Sequence, residues 1–329
     1  MKVLLMRYAT IAAFAVLSLC GSGPSHAQQR DYPNRPVVLV VPFAAGGAAD
    51  VLMRALTPHL SRRLGQSFIV ENRSGANGSI GTAYVANAAA DGYTLLATSN
   101  ATLGANPAVY KKLSYDAEKD FTPIAPIGVM PAALVINKEI AAANLPELLA
   151  LLRAKQQNFS FGSPGVGNPS HLAGERFKRR FDVEMEHVPY RGGSEIMRDL
   201  IAGNLQMAFS PLIECLPHVR AGSICAIVGM RPVRTSHLPE LPSIAELGAP
   251  DIAYVSWQAI HAPKATPPHV VKILNDAINA ILREPEVREL LNRIVIEPMP
   301  MDLAEFAAFE AADRRKAIDV AAEAGVRLE

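Results

Sequence analysis

Val37-Val-Leu-Val-Val41 and the turn after it, Pro42-Phe-Ala-Ala-Gly-Gly47, decide how this chain is read. An unbroken run of valine and leucine is the pattern of a strand buried on both faces. Pro42 interrupts it. The two glycines then lead into residues 50–64, where Leu52, Ala55, Leu56, His59 and Leu60 share one side of a helix. Gly65 stops that helix. A second strand is expected over Phe68 to Val70 and a second helix over 80–89. A third strand, Tyr93 to Thr98, follows the Asp91-Gly92 turn. This alternation implies parallel-rich sheets with helices on both faces.

The rhythm continues outward. Residues 123–137 read as strand-like segments interrupted by proline. Helices are expected at 145–155, 170–180, 194–202 and 215–221, with strands at 159–161, 184–188, 205–209 and 224–230 between them. The last third reads as three helices, 268–283, 286–292 and 302–324. A domain that starts, is interrupted and resumes fits this record. We expect residues 28–126 with 230–329 to form one domain and 127–229 the other. Two extended crossings, near 124–135 and 225–230, would serve as hinge strands and restrict motion to bending about one axis.

The chain begins with Lys2 and Arg7, an apolar run from Tyr8 to Leu19, and small residues ending at Ser25-His26-Ala27. This is the layout of a cleavable signal peptide cut after Ala27, so the mature protein is expected in the periplasm. The apolar run is short of the roughly 20 residues that span a bilayer. Its removal leaves 30 basic residues against 31 acidic ones. That balance excludes a strongly basic nucleic-acid binder. Cys215 and Cys225 remain; export permits a disulfide, although two buried thiols are the favoured reading. No cysteine–histidine cluster has metal-ligand spacing, and neither metal nor cofactor is expected.

Four strand-to-helix turns carry the chemistry: residues 42–47, 74–81, 162–168 and 190–194. Each puts small residues just before a helix, where unpaired backbone N–H groups and partial positive charge favour an anion. In open α/β sheets ligands bind at the carboxyl ends of the strands. Any one turn is more often a plain structural device, but two in each half form a pattern. Neither GxxxxGK[ST] nor GxGxxG is present, and Phe161-Gly-Ser163-Pro-Gly165 misses GxSxG. Ser163, Asn168, Ser170 and Ser194 offer donors, as do Thr98, Ser99 and Asn100 at the end of the third strand. Arg191 could pair with a carboxylate in a bidentate manner or make a surface ion pair. Asp50 reads as a helix N-terminal charge, and Trp257 as core or cleft lining.

Further motifs stand in a specific order: Tyr32-Pro33, Val40 to Gly47 with Asp50, Glu71-Asn-Arg73, Asp91 to Leu96, and Asn106-Pro107. Tyr110 to Leu113, Lys119-Asp120-Phe121, His171 to Glu175 and His187 to Gly193 follow. In this order they resemble the substrate-binding receptors of tripartite tricarboxylate transporters, the Bug family, over nearly all of residues 31–329. The resemblance implies a two-lobed Venus-flytrap fold of the type II-like periplasmic binding proteins. It implies capture of a small carboxylate between the lobes, largely by backbone amides and water, and delivery to integral-membrane permease subunits. The family's ligand loops fall on Phe43, Ala45, Gly46 and Gly47, on Thr98, Ser99 and Asn100, and on Ser163, Gly165, Gly167 and Asn168. They continue at Tyr190, Arg191, Gly192 and Gly193. Many members carry an acid where Ser210 stands; if that acid reads an amino group or hydroxyl, the serine here implies a ligand without the amine. The protein is expected to act as a monomer with no catalytic residue. Two other readings use the same residues: a receptor whose loaded form engages a membrane sensor kinase, and an exported α/β enzyme acting on a carboxylate through Ser163.

Overall fold

The computed structural model describes residues 32–154 and 158–326. The signal peptide and its cut after Ala27 lie outside the described residues. The architecture below is that of the unit Arg35–Glu329.

The first strand, β1 (Val37–Val41), leads into α1 (Ala48–Leu64), which Gly65 ends in the left-handed conformation at φ 70°. β2 (Phe68–Asn72), α2 (Ser79–Ala86) and β3 (Thr94–Ser99) complete the first alternation. Both β2 and β3 pair with β1 in parallel. A π-helical segment, Asn100–Ala105, and the short α3 (Asn106–Val109) follow. β4 (Phe121–Met130) and β5 (Ala132–Asn137) then carry the chain from the first sheet to the second.

The second sheet grows from α4 (Leu145–Ala154), β6 (Ser160–Ser163), α5 (Pro169–Phe181), β7 (Glu186–Pro189), α6 (Gly193–Ala202), β8 (Met207–Pro211), α7 (Leu212–Arg220) and β9 (Ile224–Gly229). The chain then returns to the first sheet through β10 (Ser256–Pro263). It ends with α8 (Pro268–Arg283), α9 (Pro285–Arg293), β11 (Glu297–Pro298) and α10 (Leu303–Ala324). Asp302 caps α10 by accepting the Ala304 and Glu305 N–H groups at 2.8 Å.

Among the described residues the strand orders are β11-β4-β10-β3-β1-β2 and β7-β6-β8-β5-β9. Each sheet is mixed rather than uniformly parallel. β10 runs antiparallel to both β3 and β4, and β5 antiparallel to both β8 and β9. The cause is topological: strands joined by crossover helices run parallel, whereas strands beside the two crossings enter from the other sheet and run back.

Period-two alternation along β5 explains why helices cover both faces of the second sheet. Leu134 and Ile136 pack on one side with Phe161, Phe177 and Phe209. Ala133 and Val135 pack on the other with Leu200 from α6 and Leu216 from α7. Phe177 is fully buried, and truncation to Ala would cost about 3–5 kcal/mol. Among the described residues, no helix is long and apolar enough to cross a membrane.

Candidate functional site

The parallel strands end together, and their turns open toward one cavity that both sheets line. From the first sheet come Phe43, Gly47, Ala48, Ala49, Ser99 and Gln258. Asn168, Ser170, Gly192, Gly193, Ser210 and Glu214 come from the second. Tyr254, in the segment returning from β9, closes a side by donating to the Phe209 carbonyl at 3.0 Å.

Two helix starts face each other here. α1 begins after Gly47 and α6 after Gly192, and a Cβ built on Gly47 would stand 3.6 Å from the Gly193 nitrogen. The first N–H groups of a helix have no intrahelical acceptor, so the apposition presents donors from both sheets to one point. The side chain that reaches that point is Glu214. It accepts the Ala48 N–H at 2.7 Å through Oε1 and the Ser210 hydroxyl at 3.2 Å through Oε2. Burial pushes its carboxyl above the usual range, and the bonds from Ala48 and Ser210 offset only part of that.

The loops are braced from behind. Asp50 accepts the Gly46 N–H at 2.9 Å and the Arg54 guanidinium at 2.9 Å. Burial works against the Asp50 charge, but these bonds prevail and hold its carboxyl below the usual value. Asn72 donates to the Phe43 carbonyl at 3.1 Å. Ser99 caps the π-helical segment by accepting the Ala101 N–H at 3.2 Å. Such segments interrupt regular hydrogen bonding, often beside functional sites. Loop 162–168 meets the first sheet: a Cβ on Gly165 would lie 2.9 Å from Cβ of Asn77, and φ there is +137°. Both facts reserve the position for glycine.

Of the residues read from the sequence, Phe43, Gly47, Ser99, Asn168, Gly192, Gly193 and Ser210 line the cavity. The others lie outside its lining. The Ala45 carbonyl accepts the Ser194 hydroxyl at 2.9 Å, and Gly46 faces a separate outer pocket. Thr98 is fully buried, 2.8 Å from His261 Nδ1. Asn100 turns away to donate to the Val255 carbonyl at 3.1 Å. Tyr190 donates to Asp199 at 3.1 Å, and Arg191 is exposed.

Ser163, Gly165 and Gly167 shape the wall from behind, leaving Pro164 at the cavity. Ser163 Oγ lies 2.7 Å from His187 Nε2, but that imidazole stacks on His171 at 3.7 Å, and among the described residues no carboxylate makes an ion pair with it. Trp257 belongs to the core, packed on Phe306 and Phe309. Cys215 and Cys225 are free thiols, the first buried and the second partly so. Among the described residues no His, Cys, Asp or Glu group is arranged to hold a metal ion.

Sequence reasoning missed Glu214, Gln258, Tyr254 and Ala48. A signal existed for Glu214: it stands four residues after Ser210, about one helical turn, and supplies an acid beside the position where Ser210 replaces one.

Two sheets that end on one shared cavity, with helix starts aimed at it from both sides, define a two-lobed α/β solute-binding protein. The chain belongs to the tripartite tricarboxylate transporter receptor family, whose sequence model matches residues 52–325. It is 33% identical to protein BugT of Bordetella pertussis over 298 residues, 90% of this chain and 91% of that protein. A Rhodopseudomonas palustris structure with adipate superposes at TM-score 0.87 and 34% identity, covering 90% of this chain and 99% of the other. MatC of the same organism, solved with bound malate, gives TM-score 0.83 at 30% identity, covering 88% and 99%. The family and its structural neighbours are periplasmic solute-binding receptors and not enzymes.

Proposed function

We propose that this protein captures a small organic acid between two lobes and delivers it to the membrane subunits of a tripartite tricarboxylate-type transporter. The observation that carries this reading is the apposition of the α1 and α6 starts, one from each sheet. An acid group bound in the cavity beside these starts, next to Glu214, meets groups of both lobes, so binding and closure become one event. Related structures with adipate and malate support a carboxylate as the ligand.

In this reading residues 28–126 and 230–329 form one lobe and 127–229 the other. The β4–β5 crossing and the stretch 225–230, most of which is β9 itself, are its hinges. Phe43, Gly47, Ser99, Asn168, Gly192, Gly193 and Ser210 contact the ligand or its water, and the mature chain works in the periplasm after loss of residues 1–27. Isothermal titration against a panel of organic acids tests the reading. Saturable binding of a carboxylate is expected; absence of heat across the panel would sink it.

A further inference from the structure

Among the described residues that line the cavity, Glu214 is the one carboxyl group, and no Lys, Arg or His accompanies it. Its carboxylate occupies the point where the two helix starts meet. It holds the Ala48 N–H on one side, and a Cβ placed on Gly193 would overlap it on the other. The most anion-friendly position in the cleft therefore already contains the protein's own acid. A second carboxylate brought beside it finds no side-chain cation, in a place where burial already opposes one negative charge.

Gln258 adds an independent observation. It is 4% exposed and lines the same cavity, and its Oε1 has no hydrogen-bond partner. A buried amide oxygen left unpaired is costly, and a ligand that donates to it removes the cost. An ammonium group brought beside Glu214 would favour its ionised form, which only accepts. The chemistry facing the ligand is thus acceptor-rich at Glu214 and Gln258. Backbone donors remain for one carboxylate at the α6 start.

We propose that Glu214 selects the ligand by charge and donor content. The cleft takes a monocarboxylate bearing a hydroxyl or ammonium group on the end that meets Glu214, and it disfavours a dicarboxylate of equal length. Glu214 acts as a specificity-determining residue, with Gln258 accepting from the same donor group. This rests on the carboxylate-receptor reading and deepens it.

The test is calorimetric titration of the mature protein at neutral pH with 4-hydroxybutyrate, 4-aminobutyrate and succinate, and with shorter and longer homologues of each. Wild-type protein is expected to bind the best hydroxy or amino acid at least about tenfold more tightly than the matching dicarboxylate. Glu214→Gln should shift that ratio by about tenfold toward the dicarboxylate. A wild-type preference for the dicarboxylate overturns the proposal while leaving the carboxylate-receptor reading standing. So does an unchanged ratio in a folded Glu214→Gln protein. If that variant does not fold, the wild-type ratio decides alone. Absence of binding by all of these acids overturns the proposal, and the carboxylate-receptor reading falls only if the wider organic-acid panel is silent too.

Discussion

The Asn168 side-chain amide donates to Asn77 Oδ1 at 2.9 Å, tying together two loops that lie 91 residues apart and belong to different sheets. Asn77 is held ready for it. Its backbone sits at φ 48°, a left-handed conformation that asparagine tolerates. Its own amide donates to Asn106 at 2.7 Å. Since the bond joins loops of the two sheets, the proposed reading has it favour the closed form. Asn168→Ala should weaken ligand binding by about tenfold, consistent with about 1–3 kcal/mol for a buried acceptor left unpaired. Titration of the variant beside wild type checks this; equal affinities would remove the latch.

Closeness of approach gives a second test. A Cβ at Gly192 would come within 2.8 Å of Ala44 Cβ and 3.1 Å of its nitrogen, across the cleft. Backbone contact of that kind cannot be relieved by a rotamer change. Gly192→Ala should therefore bind ligand at least about tenfold more weakly. At saturating ligand its radius of gyration should remain that of the unliganded protein. X-ray scattering with and without ligand measures it, and normal compaction would count against the assignment.

The stacked His171 and His187 make stability depend on acid. Burial depresses both, with neighbouring charge adding to the effect, to about 3 for His171 and about 4 for His187. Their folded values lie below the unfolded one. The stability they confer is then complete above about pH 6.5 and is lost as pH falls from there toward the folded values. His187→Gln should lower the proton uptake on unfolding in that window by about one proton. Urea melts between pH 7 and pH 4 would show the shallower slope; an unaltered slope would refute it.

Away from the cleft, Glu310 and His261 approach to 3.0 Å in a nearly dry setting, with Arg314 at 3.7 Å. Burial alone would raise the Glu310 carboxyl, but the attraction of His261 and Arg314 outweighs it and leaves it below the usual value. Glu310→Ala should cost about 3 kcal/mol of stability, because it removes a buried partner of both His261 and Arg314. Chemical denaturation is the measurement. Ligand affinity, read in parallel, should stay unchanged.

The first strand, turn and helix were legible because their cues are local: a valine run, a proline and glycine break, then helical spacing. β10 was not. It carries Gln258 and His261 inside a central strand, and polar residues buried for particular partners erase the apolar signature. Gly47 and Gly193 could be read as cavity residues because a helix start is a backbone property. Arg191 is a ligand candidate by its chemistry and by the family's loop positions, and neither says which way a side chain points; it stands exposed, outside the cavity lining. Glu214 escaped because it matters through Ala48, 166 residues away, and no local pattern reports that distance.

The position of β10 also sets an order of assembly. It lies between β3 and β4, so these strands cannot pair with each other and must wait for residues 256–263. The first sheet of the chain is thus the last that can be finished, while every strand of the second lies within residues 132–229. Long-range pairing of this kind is slow to form. The second sheet has all its strands in hand while the first still has a gap between β3 and β4; the valine run is flanked early by β2 and β3, but the outer edge of β3 is covered only when residues 256–263 arrive.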